Sequence, residues 1–406
     1  MSAMLSVENA LDQLLTAAVQ VVESETLLAE NALGRILAAP LVSSVSVPPL
    51  DNSAMDGYAL RLAECADGSG NPQWLPISQR IPAGQIGQPL QAGTAVRIFT
   101  GAPIPAGADC VVMQEDCESR DGEVRVTRVP KAHANIRRAG EDIEIGQTVL
   151  APGACLGPAQ LGVAASVGAT RLTVFRRMKA AVFFTGDEIV LPGQPLGPGR
   201  IYNSNRAMLI ALLNQLGIDV IDVGQVADNF DATLDALQRA SAVADVVITS
   251  GGVSVGEEDH VKAAVEKIGQ IDMWKVSMKP GKPLAHGRIM NGDTGTDFIG
   301  LPGNPVSAFV VFCLFVRPFL LKRMGAAPQS PVSFNLPAGF TRSKPGTRRE
   351  FMRARIENGQ AVLFPNQSSG VLTSLAWAEG LVDVDAGISV NPGDPVRFIP
   401  LAELLA

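Results

Sequence analysis

The sequence predicts a multidomain chain in which a central, open, mostly parallel α/β sheet is flanked by β-rich modules. Between residues 178 and 326, apolar β-branched runs alternate with helical periodicities, as they do when each strand is followed by a covering helix. Residues 58–146 and 331–406 instead carry short strands broken by glycine and proline. The chain's 406 residues also exceed what one ordinary domain holds. Aromatics make up only 5% of the residues against 47% hydrophobic overall, so the cores must rest on Val, Leu, Ile and Ala.

Residues 7–22 place Ala10, Leu11, Leu14, Leu15, Ala18 and Val22 on one helical stripe, and a second short helix is expected over residues 27–39. The segment SVPPLDNSAMDGYAL then crowds Asp51, Asn52, Ser53, Asp56 and Gly57 into a turn, whose plain reading is turn chemistry. Strands follow at 96–99, ending at Thr100-Gly101-Ala102-Pro103, at 109–114, and at 123–129, where apolar and polar residues alternate. In NIRRAGEDIEIG, Arg137 and Arg138 stand beside Glu141 and Asp142, and local ion pairing suffices to explain them. Small apolar residues from 151 to 173 suggest a short helix and a strand leading into the next domain.

The α/β region opens with a strand at 179–184 and the loop TGDEIVLPGQPLGPG. Asn203 or Ser204 caps a helix through Leu216 that Gly217 closes. A strand at 219–223 and a helix at 231–240 lead to DVVITSGGVSVGEEDHVK. That stretch reads as a buried strand at 245–249, a loop with Gly251, Gly252 and Gly256, three acids (Glu257, Glu258, Asp259), and a helix capped by Asp259 and closed by Gly269. Strands at 271–276 and 284–289 surround SMKPGKP, and Phe298-Ile299-Gly300 feeds LPGNP and a helix from Pro305. At the C-terminus, residues 351–356 and 361–364 form a hairpin around Asn358-Gly359, and 396–399 adds a strand of a small barrel or sandwich. The resulting division is 1–50 with 147–177 as a helical linker domain, 51–146 as a β-rich domain, 178–326 as the α/β domain and 327–406 as the C-terminal β domain.

A net charge of −7 argues against a general nucleic-acid binder and requires local cations for any anionic ligand. The five cysteines, with no CxxC, read as reduced structural thiols of a cytoplasmic protein. No signal peptide is expected, and the apolar run at 308–316 stops at Arg317-Pro318, which suits a buried helix better than a membrane span.

Ligands of open parallel sheets gather beyond the carboxyl ends of the strands. Four loops should meet there: Thr185 to Glu188; the glycine loop with Glu257 to Asp259; Lys275, Lys279 and Lys282 around Pro280-Gly281; and Gly300 to Ser307, with Asn304 as N-cap and Pro305 at the first helical position. Two acidic loops facing lysines suit Mg²⁺ with a polyanion, while solvated surface acids remain the plain alternative. A rival reading is a serine hydrolase. Gly252-Val253-Ser254-Val255-Gly256 matches a nucleophile elbow, with Asp272 and His286 following in order, although an extra glycine pair precedes Ser254 and three acids separate it from the helix. No Walker A lysine or G-x-G-x-x-G is present, and His133, His260 and His286 lack metal-ligand spacing.

TSGGVSVGEEDH, KPGKPLAHG, GLPGNPVSAF, DNSAMDGYA, FTGAP, RRAGEDI and FFTGDEI together closely resemble the molybdopterin molybdenumtransferases, the MoeA family to which the C-terminal domain of gephyrin is related. The resemblance spans essentially the whole chain. It implies a central MoaB/MogA-like sheet domain, a β-rich domain, an N-terminal helical/linker domain and a C-terminal β-barrel. It also implies Mg²⁺-dependent insertion of molybdate into adenylylated molybdopterin with release of AMP. Asp56, Thr100, Asp142, Glu188, Asp228, Asp259, Lys275 and Lys279 then occupy catalytic positions, with Glu188 and Asp259 as Mg²⁺ ligands. Thr249, Ser250, Gly251, Gly252, Ser254 and Gly256, together with Lys282, Pro302, Gly303, Asn304, Ser307, Arg348 and Ser369, would hold the pterin and the oxyanion. The implied partners are a second copy of the chain, bringing Asp56, Thr100 and Asp142 across a dimer, and an upstream molybdopterin adenylyltransferase, with no nucleic acid and no membrane. His260, His286 and Asp228-Asn229-Phe230 depart from the residues usual in the family. A pterin-binding scaffold without chemistry is the alternative from another class.

Overall fold

The computed structural model describes residues 4–20, 23–252, 260–291 and 294–405. The central sheet is built from β1 (Lys179–Thr185), β2 (Asp219–Val226), β3 (Val246–Ser250), β4 (Gly269–Lys275), β5 (Pro283–Asn291) and β6 (Thr294–Leu301), in the order β2-β1-β3-β6-β5-β4. The first four are mutually parallel, whereas β5 runs antiparallel to both β6 and β4. The strand pair around SMKPGKP is therefore an antiparallel edge on an otherwise parallel sheet. Because β4 points the same way as the parallel strands, the hairpin between β4 and β5 opens on the edge where β1, β3 and β6 end.

Strands buried on both faces explain the continuous apolar runs. In β1, Ala180, Val182 and Phe184 join the core beneath α1 (Ser204–Gln215), while Ala181 and Phe183 join the core beneath α2 (Phe230–Ser241) and α3 (His260–Ile268). The first core is completed by α4 (Pro305–Arg323), continuous through a π-helical stretch at Phe312–Val316. By length and composition α4 could cross a membrane, but 67% of its apolar window is buried, which makes it the core helix of this domain. The N-terminal helix Val7–Ala17, capped by Ser6 through the Asn9 amide (3.1 Å), lays Ala10 and Leu14 on the same core.

The expected helix at 27–39 does not form. Ser24–Leu28 instead pairs antiparallel with Arg171–Phe175, one turn of 3-10 helix covers Ala29–Asn31, and Ile36 and Leu37 bridge Cys155 and Val174. Thr26 and Leu27 match a cross-strand partner better than a lone helix flanked by Gly34 and Pro40 could match the core, so tertiary pairing overrides local periodicity. Residues 57–126 form a six-stranded sheet. The C-terminal strands pair around a barrel in the order Gln360–Leu363, Arg349–Glu357, Gly380–Val384, Pro395–Pro400 and Phe334–Pro337, and an Ala338–Ala361 bridge brings the last back to the first. Asn358 and Gly359 both take positive φ (49° and 76°), the turn expected from Asn-Gly.

Asp245 fastens the starts of β1 and β3. It accepts two bonds from the Arg176 guanidinium, both 2.9 Å, and one from the Lys179 amide, 2.7 Å. Burial alone would raise this carboxyl; the Arg176 guanidinium and the Lys179 amide outweigh it and hold it below the ordinary carboxylate value. A carboxylate depressed on folding contributes stability above its unfolded pKa and loses it as pH falls through the folded one. Asp245→Asn should therefore lower the urea midpoint at neutral pH and matter progressively less below about pH 4, a window read directly from urea curves across that range.

Candidate functional site

The carboxyl edge of the sheet opens into a cleft of about 1120 Å³ that the α/β domain shares with the C-terminal barrel. Thr185, Gly186 and Glu188 enter it after β1, Asp228 after β2, and Ser250, Gly251 and Gly252 after β3. Pro302, Gly303, Asn304 and Ser307 line it between β6 and α4, and residues 279–283 line it at the tip of the β4–β5 hairpin. Arg348 and residues 367–370 face them from the barrel. This is the juxtaposition expected of loops at the ends of parallel strands.

Close backbone packing sets the loop shapes. Gly251 and Gly252 have φ of +98° and +65°, and a Cβ on them would stand 3.0 Å from the Thr185 carbonyl and 2.6 Å from Val261. Glu188 folds back over Gly186, where an added Cβ would meet its carboxylate at 2.7 Å. Asn205, on the first turn of α1, donates to Ser250 Oγ (2.8 Å) and to the Gly303 carbonyl (2.7 Å), and Ser250 Oγ donates to the Pro302 carbonyl (3.0 Å). One buried amide thus ties the end of β3 to the LPGNP loop.

The cations are held as firmly. Met278–Lys279 pairs in parallel with Arg349 and Glu350, so the lysine loop is an added strand of the C-terminal sheet. Arg348 donates to the Met278 carbonyl at 3.1 Å, and the Val276 amide closes the loop on the Lys282 carbonyl at 2.8 Å. Lys279 Nζ lies 3.9 Å from Glu350, which also pairs with Arg342 at 3.1 Å. The Val306 amide, in the first turn of α4, donates to the Ser369 carbonyl at 3.1 Å and docks the NQSSG loop on the helix N-terminus. Arg353 props that loop from beneath through Ser374 and the Ser368 carbonyl, with burial pushing its guanidinium down to about 10.

Asn304 has N-cap backbone geometry and Pro305 starts the helix, but the Asn304 side chain makes no cap bond. Asp259, Ser254 and Gly256 lie outside the described residues, as does the expected cap of α3, whose described part begins at His260. Thr249 lies fully buried beneath the loop rather than in the cleft wall. Lys275 stands at the same sheet edge without lining the cleft, and its carbonyl accepts the Leu5 amide at 2.9 Å. Asp56, Thr100 and Asp142 also lie outside the lining. Asp56 and Thr100 do meet: the Thr100 amide and hydroxyl both donate to one Asp56 oxygen at 2.8 Å, which holds that exposed carboxyl below its ordinary value. Arg138 pairs with Asp51 at 2.5 Å, a partner the local sequence did not suggest.

Asp272 and His286 do not face the cleft. They line a separate hollow beneath the N-terminal helix, and His286 Nε2 is 3.4 Å from Asp297. The described residues therefore bring no acid–histidine pair to the glycine loop. Nor do they contain a group of three or more His, Cys, Asp or Glu placed to hold a metal by themselves. Glu188 and Asp228 are the carboxylates of the described cleft lining, and they would be the groups to hold a hard cation there, since such ions need only one or two protein carboxylates. The sequence reading missed Tyr202, Asn205, Gln367 and Ser368 as cleft residues and took Asn203 only as a helix cap. The sole signal was a cluster of amides and an aromatic, YNSN, at a helix start.

Comparison with known proteins gives three family matches that together run along most of the chain. Residues 5–168 match the MoeA N-terminal region (domain I and II), 181–322 match a probable molybdopterin binding domain, and 335–401 match the MoeA C-terminal region (domain IV). A molybdopterin molybdenumtransferase of Haemophilus influenzae is 42% identical over 358 residues, covering 86% of this chain and 85% of its own. Molybdopterin molybdenumtransferase 2 of Mycobacterium tuberculosis is 39% identical over 366 residues, covering 87% and 89%. Two crystal structures of the molybdopterin biosynthesis MoeA protein from Pyrococcus horikoshii superpose with TM-scores of 0.78 and 0.83, at 31% and 26% identity. They cover 98% of this chain and 99% and 100% of their own.

Gly281 makes the lysine loop testable. Its φ is +91°, and a Cβ there would meet Val311 of α4 at 2.5 Å. Gly281→Ala should cost about 1–3 kcal/mol of stability and weaken pyrophosphate binding as Lys279 and Lys282 shift, seen by thermal unfolding and calorimetry.

Proposed function

The chain belongs to the MoeA family of molybdopterin molybdenumtransferases, enzymes of molybdenum cofactor biosynthesis, and from that footing we propose that its cleft binds adenylylated molybdopterin and molybdate with Mg²⁺ and yields molybdenum cofactor and AMP. One observation carries the proposal: Glu188 and Asp228 line the same cleft, shared by two domains, as Lys279, Lys282 and Arg348.

Lys279, Lys282 and Arg348 neutralise the anionic oxygens of the phosphates and of the molybdate substrate, with the N-terminus of α4 adding its positive dipole end. The Ser307 and Ser369 hydroxyls supply neutral donors for oxyanion orientation. Glu188, with Asp259 by its place in the family motif, holds Mg²⁺ and so sets where the phosphates lie. When bound, Mg²⁺ supplies charge neutralisation at the phosphate oxygens. Lys279 is the residue best placed to stabilise charge developing on the departing nucleotide, because its backbone is fixed by both domains.

Asp56, Thr100 and Asp142 complete the cleft in this proposal from a second copy of the chain. The exposed apolar side chains of Val45, Leu50, Met55 and Ile145 in the same region support it. A molybdopterin adenylyltransferase would supply the substrate, and the cytoplasm is the expected compartment.

Incubation with adenylylated molybdopterin, Mg²⁺ and molybdate should release AMP only when molybdate is present. Lys279→Ala should slow that release by about 10²-fold or more with the fold intact. Tight binding without AMP release would make the protein a scaffold, and labelling of Ser254 by a fluorophosphonate would favour a hydrolase. Shared sites also predict complementation. Asp142→Asn and Asp259→Asn chains, each inactive alone, should regain activity when mixed, because some dimers then carry one intact site; no recovery would place both acids in the same chain's cleft.

A further inference from the structure

We propose that the part of the cleft formed by Tyr202, Asn203 and Asn205 is a subsite for a flat heteroaromatic ring whose edge carries an N–H donor beside an acceptor. The inference rests on the proposed binding of an adenylylated pterin and adds which residues read the ring. Tyr202 and its neighbour Ile201 are 44% and 56% exposed although both line the cleft, an unusual apolar surface in so polar a site. The Tyr202 hydroxyl donates to the Gln194 carbonyl at 3.1 Å, which anchors the outer end of the ring. A tethered aromatic face of this kind suits stacking.

The two amides beside it have fixed orientations. Asn203 Oδ1 accepts from the Arg206 amide at 3.0 Å, so its Nδ2 is the remaining group. Asn205 Nδ2 donates to the Gly303 carbonyl, which can only accept, so its Oδ1 is the remaining group. Both remaining atoms, Asn203 Nδ2 and Asn205 Oδ1, are buried without a hydrogen-bond partner among the described residues. Asn203 and Asn205 are only 5% and 9% exposed, and both line the cleft. Few buried polar groups in folded proteins go unpaired, and those that do call for a ligand or another explanation. One unpaired donor and one unpaired acceptor match the 4-oxo group and adjacent N3–H of a pterin, or N1 and the 6-amino group of adenine. Lys279, Lys282 and Arg348 stand on other walls, which leaves them to the phosphates.

The experiment titrates neopterin and AMP separately into the wild-type chain and into Tyr202→Ala, Tyr202→Phe and Asn203→Asp. Asn203→Asp keeps the capping oxygen and the side-chain shape while removing the donor, so the helix start is preserved. The ring that occupies the subsite should bind about tenfold or more weakly to Tyr202→Ala and Asn203→Asp and nearly normally to Tyr202→Phe. Pyrophosphate, which probes the cationic wall, should bind Tyr202→Ala as it binds the wild type. A loss confined to neopterin assigns the pterin to the subsite, and a loss confined to AMP assigns the adenine. Unchanged affinity for both in every variant overturns the subsite. A wild-type chain that binds neopterin, AMP and adenylylated molybdopterin not at all overturns the proposed ligand of the cleft itself.

Discussion

The two-residue parallel pairing of Met278–Lys279 with Arg349 and Glu350 is the contact on which the cleft depends. Those residues leave β4 of the α/β sheet and enter the C-terminal sheet before the chain returns in β5. The lysine loop therefore belongs to both domains. The bond from the Val306 amide to the Ser369 carbonyl adds a second point of attachment at the start of α4. With two fixed points the barrel has little freedom to rotate over the sheet edge, so Arg348 and Ser369 keep their places opposite the glycine loop. The barrel's Phe351, Leu375, Leu381, Ile399 and Leu404 also pack into the apolar core around α4, so the two polar attachments set the register of domains that a shared core already holds together.

Much of this arrangement was legible in the sequence because parallel strands buried on both faces are written as uninterrupted apolar runs. Those of β1 and β3 by themselves put the glycine loop and the Thr185–Glu188 segment on one edge. Asn358-Gly359 announced its turn for a local reason, since both residues must adopt positive φ. Where partners lie far away in the chain, the sequence was mute. Ser24–Leu28, which overlaps the start of the 27–39 segment, pairs with Arg171–Phe175, and nothing in its own pattern announces that strand. Asn205 is a further case: its bonds go to Ser250 and Gly303, roughly 50 and 100 positions on, and an Asn one turn into a helix looks unremarkable. The family resemblance singled out Asp56, Thr100 and Asp142 in turns that otherwise look ordinary, and all three lie outside the described cleft lining.

His286 shows how a polar ring is absorbed into a buried slot. It packs as an aromatic would, 5.4 Å from Phe319 and 6.0 Å from Trp274. Its ring nitrogen faces Asp297, whose other oxygen is engaged by the buried Arg323. Burial lowers the Arg323 pKa, and the nearby Asp297 and Asp245 oppose that effect, which keeps the guanidinium compensated. A polar ring is tolerated in this slot because the pair beneath it already supplies a polar neighbour, and deleting one member of such a buried pair is far costlier than never having had it.

The overall charge sets the last constraint. With a net charge of −7, the chain repels a polyanion at long range, so attraction must arise inside the cleft, within roughly one Debye length of about 8 Å at physiological salt. Local cations can do this only if they stay where they are needed. Arg348 is anchored to the Met278 carbonyl, and Lys279 through its paired backbone. Glu350 sits 3.9 Å from Lys279, near enough to orient the ammonium and too far for a tight ion pair; Arg342, at 3.1 Å, takes most of that carboxylate's charge. Lys279 is thereby positioned without being neutralised, and its charge remains available to whatever anion enters the cleft.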